Sequence, residues 1–276
     1  MTSTIAARYS IMTILLLTLH ADARPGRTLR ICADPNNLPF SSQRTPGFEN
    51  QIAEVLAREL GATVSYTWWA QRRGFVRNTL AAESCDVVIG VPVGLGSVRT
   101  TAPYYRSAYA FVSRADRALA VHSLDDPRLR RWKIGVQLVG DNGTNTPPVH
   151  ALARRGIIDN VVGYTVYGDY ARRSPAAEVV RAVVDGRIDV ALVWGPLAGG
   201  SARPGATPLV VTPVDEAADA GLAMAFDIAA GVRRADAGLA AELDHALARR
   251  HAEIERILDA WGVPRVASPG PVEVAR

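Results

Sequence analysis

Residues 28–40, TLRICADPNNLPF, decide how this chain is expected to fold. Residues 29–33 predict a short buried strand, and a polar turn follows because Asp and Asn bind their own backbone in turns and proline cannot continue a strand. Residues 48–60 then repeat apolar side chains at i, i+4, i+7 and i+8, which is the spacing of a helix with one buried face. The stretch therefore predicts a strand, a loop and a helix, the first half of a βαβ unit.

The loop after this first strand is the first candidate for a binding site. In open parallel sheets, ligands bind outside the carboxyl ends of the strands. If the first strand is central, its loop forms one wall of a binding cleft. The candidate ligand residues on it are Asp34, Asn36, Asn37 and Phe40. The alternative is an ordinary capped turn without a binding role.

The same layout continues along the first part of the chain. Residues 28–97 read as β-α-β-α-β, and right-handed crossovers place the three loops on one edge of the sheet. The second loop contains Trp69, Arg72 and Arg73, and the third contains Pro92 and Leu95. Trp and Arg are enriched at interaction hot spots. Equally, the tryptophans of this segment could be core residues and the arginines a solvated helix start.

A second α/β unit begins near residue 132. Its first loop contains Gly143 and Thr144, and its last buried strand ends at Trp194. Two α/β lobes whose loop edges face each other form a cleft, and clefts between domains are where small ligands bind. The sequence therefore predicts an interlobe site that includes these three residues.

The first 23 residues predict a secretory signal peptide. An apolar run at residues 9–19 precedes Ala21-Asp22-Ala23, a small-x-small cleavage signal. The run is too short to anchor the chain in a membrane. We therefore expect a periplasmic protein without a membrane span after cleavage. The net charge of +4 comes from scattered arginines, so no basic segment predicts nucleic-acid binding.

The chain has two cysteines, Cys32 and Cys85. An exported location permits a disulfide between them. If they lie on parallel neighbouring strands, an offset of about three residues at ~3.3 Å each would exceed the ~7 Å Cα limit for a bridge. The sequence leaves a bridge and two buried thiols equally open. The cysteine spacing fits no zinc site, and we expect neither a metal nor another cofactor.

Catalytic signatures are scarce. The sequence contains no GxSxG, HExxH or P-loop motif. A dehydratase or a peptidoglycan lyase on such a fold would need a positioned acid or base in the cleft. Only Asp34 can be placed there, so an enzyme is the least favoured alternative, and we expect no catalytic residues.

The order of the sequence blocks resembles that of the bilobal periplasmic solute-binding proteins. LRICADPNNLPF with GFENQIAEVLARELGATV matches their opening strand and helix, and CDVVIGV with PYYRSAYAFV matches the third strand and the approach to the hinge. WKIGVQLVGDNGT and GRIDVALVWGPLA match the second lobe. The resemblance covers residues 28–262 and implies the type II, family 3 fold: two α/β lobes with two hinge crossings. It places lobe 1 at 24–112 and 224–276 and lobe 2 at 113–223.

Three positions depart from the amino-acid binders of that family. Those proteins hold the ligand carboxylate with an arginine where this chain has Leu95, and the ammonium with an acid where it has Trp194. Asn37 replaces their stacking aromatic. A free amino acid would bury both charges without partners, which costs several kcal/mol. The sequence therefore argues against an amino-acid ligand and predicts that the Trp194 indole projects into the cleft.

The residues of several segments indicate a particular subfamily of these binding proteins. CADPNNLPFS, GFEN, YTWWAQRRGFVRNTL and TTAPYYRSAYAFV are similar to the binding-protein-like proteins encoded beside quinoprotein (PQQ-dependent) methanol dehydrogenases. The resemblance implies a non-enzymatic periplasmic accessory factor with that dehydrogenase as its partner. The alternative is an ABC-transporter solute-binding protein for a small neutral or anionic solute.

Overall fold

The computed structural model describes residues 26–139, 145–165, 170–171, 174–199, 207–215 and 221–267. The predicted signal peptide at residues 1–23 lies outside these ranges. So do Gly143 and Thr144.

The described residues form a ten-stranded mixed sheet, a separate two-stranded sheet and helices packed on the larger sheet. The strands are β1 (Arg27–Ala33), β2 (Asn36–Asn37), β3 (Ser41–Ser42), β4 (Ala62–Trp68), β5 (Val87–Pro92), β6 (Arg99–Thr100), β7 (Tyr105–Arg114), β8 (Ile134–Leu138), β9 (Val161–Thr165), β10 (Val190–Trp194), β11 (Leu209–Pro213) and β12 (Ala225–Val232). The α-helices are α1 (Phe48–Glu59), α2 (Phe75–Asn78), α3 (Pro147–Arg154), α4 (Glu178–Val184), α5 (Pro196–Gly199), α6 (Ala237–Arg249) and α7 (His251–Ala260).

The long strand β7 joins two halves of the sheet. The strand order is β4-β1-β5-β12-β7-β10-β8-β9. Residues 105–108 of β7 pair with β12, and residues 109–113 pair with β10. The pairs β1–β4, β1–β5, β8–β10 and β8–β9 are parallel, as the two predicted α/β units require. The lobe limits 24–112, 113–223 and 224–276 stay a prediction.

The core of the first half is built around α1. Phe48 is fully buried, and its ring contacts those of Phe40, Tyr105 and Trp261 at centroid distances of 5.3, 6.5 and 6.5 Å. Ile52 and Leu56 are buried on the same face, as the apolar spacing predicts. The first strand and α1 therefore lie where the sequence places them.

The start of α1 leaves no space for a side chain at Gly47. The Asn50 side chain accepts hydrogen bonds from the Gly47 and Ser42 backbone N–H groups at 2.9 and 3.0 Å. A Cβ at position 47 would overlap the backbone carbonyl oxygens of Phe40 and Pro39. Backbone atoms cannot rotate away from such a Cβ. Only glycine at position 47 therefore allows the loop that carries the candidate site to lie this close to the helix.

We expect Gly47→Ala to lower the free energy of unfolding by about 1–3 kcal/mol, the usual cost of overpacking. Urea denaturation measures this change. Gly238→Ala is the matched control, because nothing lies within 4 Å of a Cβ added there, inside α6. That control should gain roughly 0.5–1 kcal/mol from helix propensity. Equal effects at both positions would contradict the steric explanation.

The structure contains the disulfide against which the strand-offset argument spoke. Cys32 and Cys85 are bonded, with their Cα atoms 5.4 Å apart. Cys32 pairs in register with Val88, so the three-residue offset is present. The distance argument was wrong because Cys85 precedes β5: the chain bends at Asp86, whose N–H donates to the Arg30 carbonyl at 2.7 Å. This bend brings Cys85 back across β1.

Candidate functional site

The loop after β1 is held by the buried carboxylate of Asp34, which is 4% exposed. It accepts hydrogen bonds from the Asn36 N–H at 2.8 Å, the Gln71 N–H at 2.7 Å and the Tyr170 hydroxyl at 2.6 Å. Three donors offset the cost of burying a charge. Asp34 therefore fixes its own loop and ties it to two distant segments.

A second contact joins this loop to the segment that precedes α4. The backbone N–H of Ser174 donates to the Asn36 side-chain oxygen at 3.0 Å. Burial and the hydrogen bond to Asp34 raise the pKa of Tyr170 well above its ordinary value. The Tyr170 hydroxyl therefore keeps its proton at physiological pH and donates a hydrogen bond to Asp34. The two segments are held together by neutral hydrogen-bond donors, this hydroxyl and the Ser174 N–H.

Asp34, Asn36, Gln71 and Tyr170 line a cavity of about 300 Å³. Five of the residues predicted from the sequence line it: Asp34, Asn36, Asn37, Phe40 and Trp194. The residues that the sequence did not indicate are Gln71, Gly90, Tyr109, Gln137, Val139, Thr146, Tyr170, Pro175, Ala176 and Leu197. Most of the second group come from strands and loops distant in sequence, and no local motif marks them.

The segment 69–74 contributes a different residue from those predicted. Gln71 lines the cavity, and its side-chain oxygen accepts from the Asn37 amide at 3.2 Å. Trp69 is 41% exposed, and Arg72 and Arg73 are exposed as well. None of these three lines the cavity. The reason is local: the Trp69 N–H donates to the Ala33 carbonyl, and the next turn points the Gln71 N–H at Asp34.

Pro92 and Leu95 also lie away from the cavity. Pro92 ends β5, paired with Ile228 of β12. Leu95 packs against the buried cluster that contains Cys32 and Cys85. The nearby Arg99 is exposed and donates to the Arg234 carbonyl at 3.0 Å. No arginine, lysine or histidine lines the cavity within the described ranges.

Trp194 stands at the carboxyl end of β10 and lines the cavity. Its ring is half-buried and packs edge-to-face on Tyr109 and Phe226, at 5.5 and 5.9 Å between centroids. Such pairs typically contribute about 0.5–1.5 kcal/mol beyond area burial. The indole therefore fills space beside the cavity and is braced by two further rings.

Among the neutral polar groups that line the cavity, those of Gln137 and Tyr109 lie beside Trp194, through a hydrogen bond and a ring contact respectively, and can serve a ligand. The Gln137 side-chain oxygen accepts from the backbone N–H of Trp194 at 3.2 Å, and the Gln137 amide nitrogen has no partner among the described residues. Burial raises the pKa of Tyr109 to about 12, so its hydroxyl stays protonated. Both groups line the cavity. The described wall can therefore offer uncharged hydrogen-bond donors beside aromatic faces.

A second acid, Glu49, lies close to Asp34. It stands in the first turn of α1, and its carboxylate contacts Gly90, where a Cβ would overlap it. Burial, with the negative charge of Asp34 adding to it, raises the pKa of Glu49 to about 8. The positive end of a helix opposes this by only about 0.3–1 kcal/mol. Glu49 is therefore mostly protonated at neutral pH.

We expect Tyr170→Phe to lower the free energy of unfolding by about 1–2 kcal/mol, because a hydrogen bond to a charged acceptor is lost from a buried carboxylate. Chemical denaturation measures the change. Tyr164→Phe serves as the control, since no hydrogen bond joins the Tyr164 hydroxyl to the rest of the described chain. A loss for Tyr164→Phe as large as that for Tyr170→Phe would count against the Asp34 contact.

The described residues contain no group of three or more side chains placed to hold a metal ion. Within the same ranges, we find no helix with the length and apolar character needed to cross a membrane.

Comparison with known proteins finds similarity over most of the chain. No protein-family model matches the chain. Protein MoxJ of Methylorubrum extorquens AM1 is 34% identical over 250 residues, which are 86% of this chain and 81% of that protein. The crystal structure of periplasmic binding protein XoxJ from Methylobacterium extorquens AM1 is 35% identical with a TM-score of 0.71, covering 87% of this chain and all of that one. The structure of MxaJ from Methylophaga aminisulfidivorans MPT is 26% identical with a TM-score of 0.74, covering 86% and 100%. These matches confirm the predicted bilobal α/β fold of type II periplasmic binding proteins.

Proposed function

We propose a function from one premise: the chain belongs to the MoxJ family, whose solved relatives have the periplasmic binding protein fold. The protein is a non-enzymatic, binding-protein-like accessory factor that supports a PQQ-dependent methanol dehydrogenase in the periplasm. The observation that carries the proposal is the match to XoxJ over the whole of that chain. The partner comes from the resemblance to proteins encoded beside quinoprotein methanol dehydrogenases.

The cavity supports a role other than amino-acid transport. A zwitterionic ligand needs a cation for its carboxylate and an acid for its ammonium, or both charges are buried unpaired. Leu95 packs elsewhere, and Trp194 occupies the end of β10 where the acid would stand. The one acid in the described lining, Asp34, already accepts three hydrogen bonds.

The hydrogen bonds that Asp34 accepts also support a non-catalytic role. A general base must be within hydrogen-bond reach of a substrate proton. The Asp34 oxygen that faces Tyr170 also accepts from the Gln71 N–H. Asp34 is therefore a positioning group for its loop.

The proposed location rests on two features. The predicted signal peptide at residues 1–23 directs export. The Cys32–Cys85 bridge suits an oxidising compartment such as the bacterial periplasm.

Deleting the gene in its host and assaying PQQ-dependent methanol dehydrogenase activity in the periplasmic fraction tests this role. We expect a loss of activity that the full chain restores. A chain without residues 1–23 is the control and should not restore it, because it would not be exported. Unchanged dehydrogenase activity in the deletion strain would refute the accessory role.

A second candidate function is delivery of a small neutral or anionic solute to a transporter. The specific observation is the cavity of about 300 Å³, where the Gln137 amide and the Tyr109 hydroxyl remain available. A ligand at a hundred times its Kd stabilises the folded state by about 2.7 kcal/mol. A thermal-shift screen of small solutes, repeated with Gln137→Leu, detects this. A flat screen would remove this candidate.

A further inference from the structure

Strand β4 is the edge strand of the described sheet. It pairs with β1 over seven consecutive residues, and within the described ranges no strand pairs with its other side. None of its seven residues is buried, whereas four residues of β1 are. Long edge strands are usually protected by lysine, proline or a bulge. The sequence of β4, ATVSYTW, contains neither residue, and its register is regular.

The backbone groups that face outward on β4 can be assigned. The Trp69 N–H donates inward to the Ala33 carbonyl of β1. Because successive residues of a strand point their N–H and C=O groups to opposite sides, the alternate residues face the open edge. Val64, Tyr66 and Trp68 therefore present their backbone donors and acceptors outward.

A groove lies beside this edge. The rings of Tyr66 and Trp68 stack at 4.5 Å between centroids with an interplanar angle of 17°. They form one wall of a groove of about 640 Å³ whose other walls come from α1, α7 and residues 42–46. Tyrosine and tryptophan are enriched at protein interfaces, and here both are half-exposed beside the edge strand.

Glu54 on α1 lines the groove, is exposed and has no ion-pair partner among the described residues. Its carboxylate therefore gives the groove a negative charge. Burial chiefly, and then the charge of Glu54, raises the pKa of Tyr66. The other acid of the groove, Glu253, is paired with Arg58 at 2.5 Å. A carboxylate beside aromatic rings matches an incoming guanidinium or ammonium group, which pairs with the acid and stacks on the rings.

We propose that this edge and groove bind an extended segment of a partner protein, which adds to β4 as a strand and places an arginine or lysine side chain against Tyr66, Trp68 and Glu54. Strand addition gives affinity through backbone hydrogen bonds and specificity through alternate side chains. A second copy of this chain fits less well, because β4 has no basic residue to pair with Glu54. The proposal does not depend on the identity of the partner.

A synthetic peptide tests the proposal directly. The probe is a soluble nine-residue peptide of alternating threonine and valine with a central arginine, and the comparison peptide has glutamate there. Tryptophan fluorescence measures affinity, and amide hydrogen exchange locates the peptide. We expect the arginine peptide to bind at least tenfold more tightly and to protect the amides of Val64, Tyr66 and Trp68.

Two variants separate the contribution of the backbone hydrogen bonds to peptide affinity from the contribution of the charge. Val64→Pro removes an outward N–H and should abolish binding of the arginine peptide, while proline is tolerated on an edge strand. Glu54→Lys should remove the preference for arginine. Asp159→Lys, at an exposed acid before β9, is the matched control and should change nothing.

Three outcomes would overturn the proposal. The arginine peptide fails to bind, both peptides bind equally, or protection falls outside β4. A concentration-dependent dimer of the wild-type chain that Val64→Pro abolishes would assign the edge to self-association instead.

Discussion

Replacing Cys32 and Cys85 by serine is expected to lower the free energy of unfolding by about 4 kcal/mol, the chain-entropy value for a loop of this length. The bridge closes a loop with a sequence separation of 53 residues and lies in a buried cluster with Phe75, Leu80 and Val88. Without it, the unfolded chain gains conformational entropy, which lowers the free energy of unfolding.

Urea denaturation of the wild type and the double variant, each with and without reductant, measures this effect. Reductant should destabilise the wild type and leave the variant unchanged, which is the internal control. A loss below about 1 kcal/mol in the variant, against the range measured for native disulfides, would show that the bridge hardly constrains the unfolded chain.

The second large effect is a fall in stability as the pH rises, caused by Glu49. Its pKa is about 8 in the folded protein against an ordinary value of 4.5. Below pH 4.5 both states hold the proton and nothing changes. Between pH 4.5 and 8 the unfolded state releases the proton first, so unfolding is favoured by up to about 3 kcal/mol at pH 7.

We expect Glu49→Gln to flatten this decline and to be more stable than the wild type at pH 8. Denaturation curves from pH 5 to 8.5 give the comparison. Glu54→Gln is the control, because Glu54 lies on the same helix with its carboxylate exposed. A wild-type profile that stays flat across this range would contradict a protonated Glu49.

The local pattern was sufficient to predict the elements that build the site. The apolar spacing in residues 48–60 predicts α1, which ends one residue earlier at Glu59. The buried run before Trp194 predicts β10. These elements are set by periodicity and by turn residues that lie within them, so the sequence shows them directly.

The cavity contacts could not be predicted in the same way. Tyr170 and Gln71 reach Asp34 from 136 and 37 residues away. The turn after β4 decides that Gln71 enters the cavity and Trp69 stays outside. The Cys32–Cys85 bridge depends on the bend at Asp86, which a straight-strand argument misses. Each of these depends on a loop path rather than on a repeat.

The most direct measurement of the proposed role is affinity co-purification of the tagged mature chain from periplasmic extract of its host, at several salt concentrations. We expect a subunit of the PQQ-dependent methanol dehydrogenase to be retained and to be absent from a mock purification without the tagged chain. Recovery of no dehydrogenase subunit at any salt concentration, with the chain shown to be folded, would contradict the role proposed here.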